Sequence, residues 1–246
     1  MSKMKISLPN IEIATLGALG RGEKRDKAIR AFRAGRPPFT YEALRKSLSD
    51  VLHIVAPLGF NMPPVPWATI EKTVLDRCTK RKNEKSYNVA KAKALYEFRK
   101  RTDIRFLPHQ ISSSLILPND NRIVFWSDMI AIVDGRPLLP FFDLRSSTGL
   151  QSDRSRQIAM SIQHRVAIEQ DADLDQSGTR PAIIQIAGSM KDGFTPHLIE
   201  TCLQPLLSMS NIQEIVLEVW DDIVRVSSED QGYDKRTGTG GLFDLI

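Results

Sequence analysis

The chain has 246 residues, 41% of them apolar and 26% charged, with 34 Lys and Arg against 29 Asp and Glu. That length holds one large domain or two small ones around a real core. The composition excludes collagen-like, wholly disordered and disulfide-stapled chains. No apolar run reaches the roughly 18–20 residues that span a bilayer. Met1 to Asn10 lacks the apolar core of a secretory signal. Cys78 and Cys202 form neither a CxxC nor a zinc spacing. A cytoplasmic, reduced protein is expected.

The charge is unevenly placed. Residues 1–110 carry 23 basic against 10 acidic side chains, a net +13, and residues 111–246 carry 11 against 19, a net −8. A basic half of this kind attracts phosphate backbones. Its sharpest clusters supply candidate nucleic-acid contacts: Arg25, Arg30 and Arg33; Lys80, Arg81 and Lys82; Arg99 and Arg101. The alternative reading is a set of solvated helix faces.

In chain order, residues 1–20 read as an irregular lead-in. Helices are expected over Lys24–Ala34, ended by Pro37 and Pro38, over Tyr41–Val55 after an N-cap Thr40, and over Trp67–Cys78. The proline-rich stretch 56–66 reads as a loop, and Lys80–Lys85 as a domain boundary. Ser86–Lys100 has helical spacing through Ala90, Ala94, Leu95 and Phe98. Period-2 runs follow at Ser112–Leu117, Arg122–Val133 and Leu138–Arg145. Asp134-Gly135 between the last two is a strong hairpin signal. Ser152–Glu169 reads as a long helix, Ala182–Ile186 as a buried strand, Pro196–Leu207 as a helix and Ile212–Val226 as containing a strand. The resulting organisation is a basic helical domain over 1–79, an α/β domain over 86–230 and a flexible C-terminal tail over 231–246.

The hairpin holds the residues best suited to chemistry. If Asp134-Gly135 is a two-residue loop, Asp128 faces Phe141 and lies diagonal to Asp143, roughly 7–8 Å away between Cβ atoms. Two carboxylates so placed can close on one hard cation. Period 2 sets Arg145 on the face of Asp143. A divalent ion there would polarise a phosphate and activate water, with a basic side chain steadying the developing charge. The alternative is a surface hairpin with solvated charges.

This order of elements, with Asp128 on the second strand and Asp143-Leu144-Arg145 on the third, resembles the PD-(D/E)xK nuclease superfamily. The resemblance covers residues 86–190. It implies an α/β, restriction-endonuclease-like mixed sheet flanked by helices, with the N-terminal helical domain as an addition. It further implies Asp128, Asp143 and the Leu144 carbonyl as ligands of Mg²⁺ or Mn²⁺, and Glu97 and Gln157 as further catalytic residues. Arg145 stands where the family has lysine. Arginine is permanently charged and less suited to act on a water, so the departure fits either an altered nuclease or an inactive copy.

The expected function is therefore a Mg²⁺-dependent endonuclease acting on DNA, with RNA as a second substrate. The alternative is a non-catalytic nucleic-acid-binding or assembly protein on the same fold. A third reading is an interaction module whose basic helices meet an acidic protein partner or a second copy. No membrane role is expected. The run Asp171, Asp173 and Asp175 lacks the glycine and glutamate of a calcium loop. Gly238-Thr239-Gly240-Gly241 lacks the lysine of a phosphate loop.

Overall fold

The computed structural model describes residues 10–34, 41–54, 63–79, 81, 83–116, 122–145, 149–201 and 203–237. Its centre is a five-stranded mixed sheet in the order β1(Arg105–Ile116), β2(Arg122–Val133), β3(Arg136–Asp143), β4(Arg180–Ser189), β5(Gly193–Ile199). β3 and β4 run parallel; the other neighbours are antiparallel. The expected mixed α/β class holds.

β2 has the expected bounds because alternation and turn chemistry agree there. Asp134 and Gly135 both take positive φ, 49° and 75°, as a type I′ hairpin loop demands. Val133 then pairs with Arg136, as the sequence requires. The parallel β3–β4 pair needs a crossover, and α7(Asp153–Ile162) supplies it. Ser152 caps α7 by accepting the Ser155 N–H at 3.1 Å, while the Ser155 hydroxyl accepts the Ser152 N–H at 3.2 Å. The helix widens into π turns over Gln163–Ile168.

Period 2 sorts the strand side chains onto two covered faces. Leu139 and Ile183 join Ile13, Leu16, Ile158, Ile162, Val216 and Val219 in one cluster. There α1(Asn10–Ala18) packs against α7 and α9(Met209–Thr237). A Cβ on Gly17 would stand 2.6 Å from the Ile215 side chain, so glycine sets how closely α1 approaches α9. On the other face Leu138, Ala182, Ile184 and Ile186 meet Val51, Leu52, Ile70, Val74 and Leu95. Those come from α4(Leu48–Leu52), α5(Trp67–Arg77) and α6(Glu84–Arg101). Segments before and after residue 80 thus contribute to the same two clusters.

Several expected elements differ. The lead-in contains α1, whose Ile11, Ile13, Ala14 and Leu16 are buried. Tyr41–Val55 divides at Lys46-Ser47 into α3(Glu42–Arg45) and α4, with Val55 outside the described residues. The helix expected over Pro196–Leu207 does not form: Pro196–Ile199 belong to β5, and the described residues from Glu200 to Leu207 take neither helix nor strand. The strand expected within Ile212–Val226 is part of α9, because Ile212, Val216, Val219, Ile223 and Val226 fall on one buried helical stripe. α9 runs on to Thr237, through residues expected to be a loose tail; 238–246 lie outside the described residues. Asp171 caps α8(Ala172–Gln176) by accepting the Asp173 and Leu174 N–H groups. No helix among the described residues is long and apolar enough to cross a membrane.

Candidate functional site

β2 and β3 part company near the expected site, and proline is the reason. Pairs in an antiparallel ladder alternate between those that exchange hydrogen bonds and those that do not. Val133–Arg136 and Ala131–Leu138 are exchanging positions, so the next would be Met129–Pro140. Pro140 has no N–H to give. The Met129 carbonyl instead accepts the Ser127 hydroxyl at 3.0 Å, and the Met129 N–H donates to the Ser127 hydroxyl oxygen at 3.4 Å. Pairing stops at Ala131–Leu138. The strands splay around a cleft of about 330 Å³. Phe125, Met129, Pro140, Phe142 and Leu48 wall it, and Asp128, Arg45 and Arg145 also line it.

The two hairpin acids occupy different environments. Asp128 is exposed, and partial desolvation in the cleft pushes its carboxyl pKa up. Asp143 is 0% exposed. It accepts the Arg145 N–H at 3.1 Å, the Leu150 N–H at 2.8 Å and the Gln185 side-chain amide at 2.9 Å. Asp143 thereby fastens the segment after β3 onto β4. The Leu144 carbonyl accepts the Lys91 ammonium. The Arg145 guanidinium is paired with Glu12 of α1 at 2.5 Å. The residues expected to hold a divalent ion therefore do not fit one: N–H donors cover Asp143, an ammonium covers Leu144, and Asp128 shares no partner with either among the described residues. No group of three or more His, Cys, Asp or Glu among the described residues could hold a metal.

Lys91 is the cation of this centre, 0% exposed in the middle of α6. Its Nζ donates to the Tyr41 hydroxyl at 3.0 Å and stands 4.2 Å from that ring's centroid. Burial lowers its pKa from 10.5 to about 8, opposed by the Asp143 charge. Between those values the unfolded chain keeps a proton that the folded protein has released. Folded stability therefore rises with pH from about 8, by at most about 1.4 kcal/mol per pH unit for one proton. Tyr41 acts the other way above its ordinary value of 10.0, because burial pushes its hydroxyl up to about 12. Urea unfolding between pH 8 and 10 should show wild-type stability climbing relative to Lys91→Met. Parallel profiles would remove Lys91 as the cause.

The other expected catalytic residues lie elsewhere. Glu97 pairs with Lys93 at 3.2 Å and Lys100 at 4.0 Å, beside the β4–β5 hairpin. Gln157 donates to the Pro205 carbonyl at 2.6 Å and accepts from Arg154 at 2.6 Å, tying α7 to the segment before α9. The glutamine that meets Asp143 is Gln185, its neighbour across the β3–β4 register. Only the sheet order reveals that neighbour. Lys91 did leave a trace: it shares the buried stripe of Asn88, Ala92 and Leu95.

Much of the basic cluster is engaged internally. Arg25 is 1% exposed and meets Asp222 at 2.9 Å and Glu218 at 3.6 Å on α9. Arg30 meets Glu229 at 3.1 Å, and Arg225 returns the pairing to Asp26 at 2.5 Å. The acidic second half thus neutralises α2(Glu23–Ala34). Arg99 lies 5.5 Å from the Tyr96 ring centroid, and Arg81 and Arg101 are exposed. Lys80, Lys82 and the Arg33 side chain lie outside the described residues.

Fold and site define a mixed α/β protein whose polar centre is closed on itself and whose open feature is an apolar cleft. Residues 11–230 match the family described as sliding clamp-binding bacterial toxin SocB, and the chain belongs to that family. It is 28% identical over 241 residues to a DNA replication inhibitor toxin SocB from Caulobacter vibrioides, covering 96% of this chain and 97% of that protein. These findings correct the expected nuclease family, the Mg²⁺-dependent endonuclease function and DNA as the main partner. The family is described by a protein partner, the sliding clamp.

Proposed function

We propose that this chain is a bacterial toxin that inhibits DNA replication by binding the sliding clamp, and that it acts in the cytoplasm, where replication takes place. The observation that carries this reading is the family match over residues 11–230, joined to a near full-length relative that bears that activity in its name. The pairing of α2 arginines with α9 carboxylates supports a protein partner over a phosphate backbone. The test is titration of the purified chain with the sliding clamp of its source organism, alongside labelled-thymidine incorporation in cells after induced expression. A stoichiometric complex and a fall in DNA synthesis are expected. No complex, with DNA synthesis unchanged at high expression, would overturn the reading.

A further inference from the structure

The cleft between β2 and β3 carries three polar groups that the fold does not use. Asn10 is 7% exposed, and both its amide nitrogen and its amide oxygen lack a hydrogen-bond partner among the described residues. A buried amide left in that state is costly, so it marks a place where something is to be bound. Arg45 and Asp128 are exposed and make no ion pair among the described residues. All three line the same cavity. Its other polar lining is already engaged, Arg145 by Glu12, the Tyr41 hydroxyl by Lys91 and the Ser127 hydroxyl by the Met129 carbonyl, and the rest of the wall is apolar, Leu48, Phe125, Met129 and Phe142 among it.

These groups set requirements for an occupant. The guanidinium wants an anion and the carboxylate a cation. The amide can donate to one and accept from the other. The walls want a large apolar body. About 330 Å³ is at the small end of the roughly 300–1,000 Å³ range of ligand sites, which suits a compact molecule. We propose that the cleft binds a free α-amino acid with a large apolar side chain, its carboxylate on Arg45, its ammonium on Asp128, its head group bridged by Asn10 and its side chain between Met129 and Phe142. The splay that Pro140 and Ser127 impose on the ladder is what makes room for it. This site does not depend on the clamp reading, and its test involves no clamp.

Isothermal titration of the full chain with L-phenylalanine, L-leucine and L-tryptophan tests it, with glycine as the ligand lacking an apolar body. Saturable binding is expected for at least one of the three and none for glycine. For the ligand that binds, the C-terminal amide removes the carboxylate and the N-acetyl derivative removes the ammonium. Each should bind about tenfold or more weakly, as loss of a charged hydrogen bond implies. Arg45→Gln should weaken the parent ligand yet add nothing to the loss in the amide, and Asp128→Asn should behave likewise with the N-acetyl form. Both side chains are exposed, so unchanged melting temperatures will show that the variants fold. Absence of saturable binding to wild type, or losses that do not follow these pairings, overturns the proposal.

Discussion

Asp143→Ala is expected to lower folded stability by about 3–5 kcal/mol, the range seen when one partner of a buried charged cluster is removed. The carboxylate accepts three N–H donors inside the protein and faces the Lys91 ammonium. Its removal orphans the donors and leaves a buried cation with a weaker counter-charge. Lys91 then sheds its proton at a lower pH than in the wild type, which limits the penalty. Asp143→Asn keeps the shape but presents one acceptor oxygen where two work, so its loss should be smaller and still measurable. Urea unfolding at pH 7 checks both. A stable Asp143→Ala would mean that the cluster contributes little. A surface carboxylate held for catalysis would give that stable variant, so the experiment also separates a structural acid from an exposed one.

What the sequence revealed follows from which signals are local. β2 and its hairpin were legible because alternation and the Asp134-Gly135 turn are properties of adjacent residues. α9 was misread because Ile215, Leu217 and Val219 also satisfy a short alternation. Only the longer stripe from Ile212 to Val226 decides for a helix, and α9 buries that stripe against α1. The helix expected from Pro196 is likewise displaced by β5. In the sheet Pro196 lies opposite Ile186, in a strand with no further strand beside it among the described residues, where a missing N–H is tolerated.

The candidate site shows the same divide. Register arithmetic correctly brought Val133 to Arg136, and carrying it further to Asp128 and Phe141 assumed an unbroken ladder. Pro140 is visible in the sequence, and its phase against Met129 predicts the break once the exchanging positions are counted. Lys91, Glu12 and Gln185 reach the centre from three elements distant in the chain, and no spacing rule joins them to Asp143-Leu144-Arg145. An aspartate at the end of a strand, followed by Leu-Arg, therefore reads equally as a metal ligand or as the anchor of the segment after it. The difference lies in whether N–H donors or a cation surround it. The charge asymmetry likewise read as an outward basic surface, yet α9 brings carboxylates onto α2 from about 200 residues away.

Gly149→Ala is expected to act on the same anchor from the opposite side. A Cβ at residue 149 would lie 2.2 and 2.4 Å from the two Asp143 carboxylate oxygens and 2.6 Å from the Arg145 carbonyl oxygen. The carboxylate cannot swing away without releasing Leu150, Gln185 and Arg145, and the third neighbour is backbone. Overpacking of this kind costs typically 1–3 kcal/mol. The broken hydrogen bonds add to it, so a loss of about 3 kcal/mol or more is expected in urea unfolding. The two substitutions should not add. With Asp143 already alanine, the methyl group meets empty space where the oxygens were, and Gly149→Ala should lose most of its effect. A double-mutant cycle reads that coupling directly. Additive losses would place the damage of Gly149→Ala in the Arg145 backbone alone and separate residue 149 from the Asp143 carboxylate.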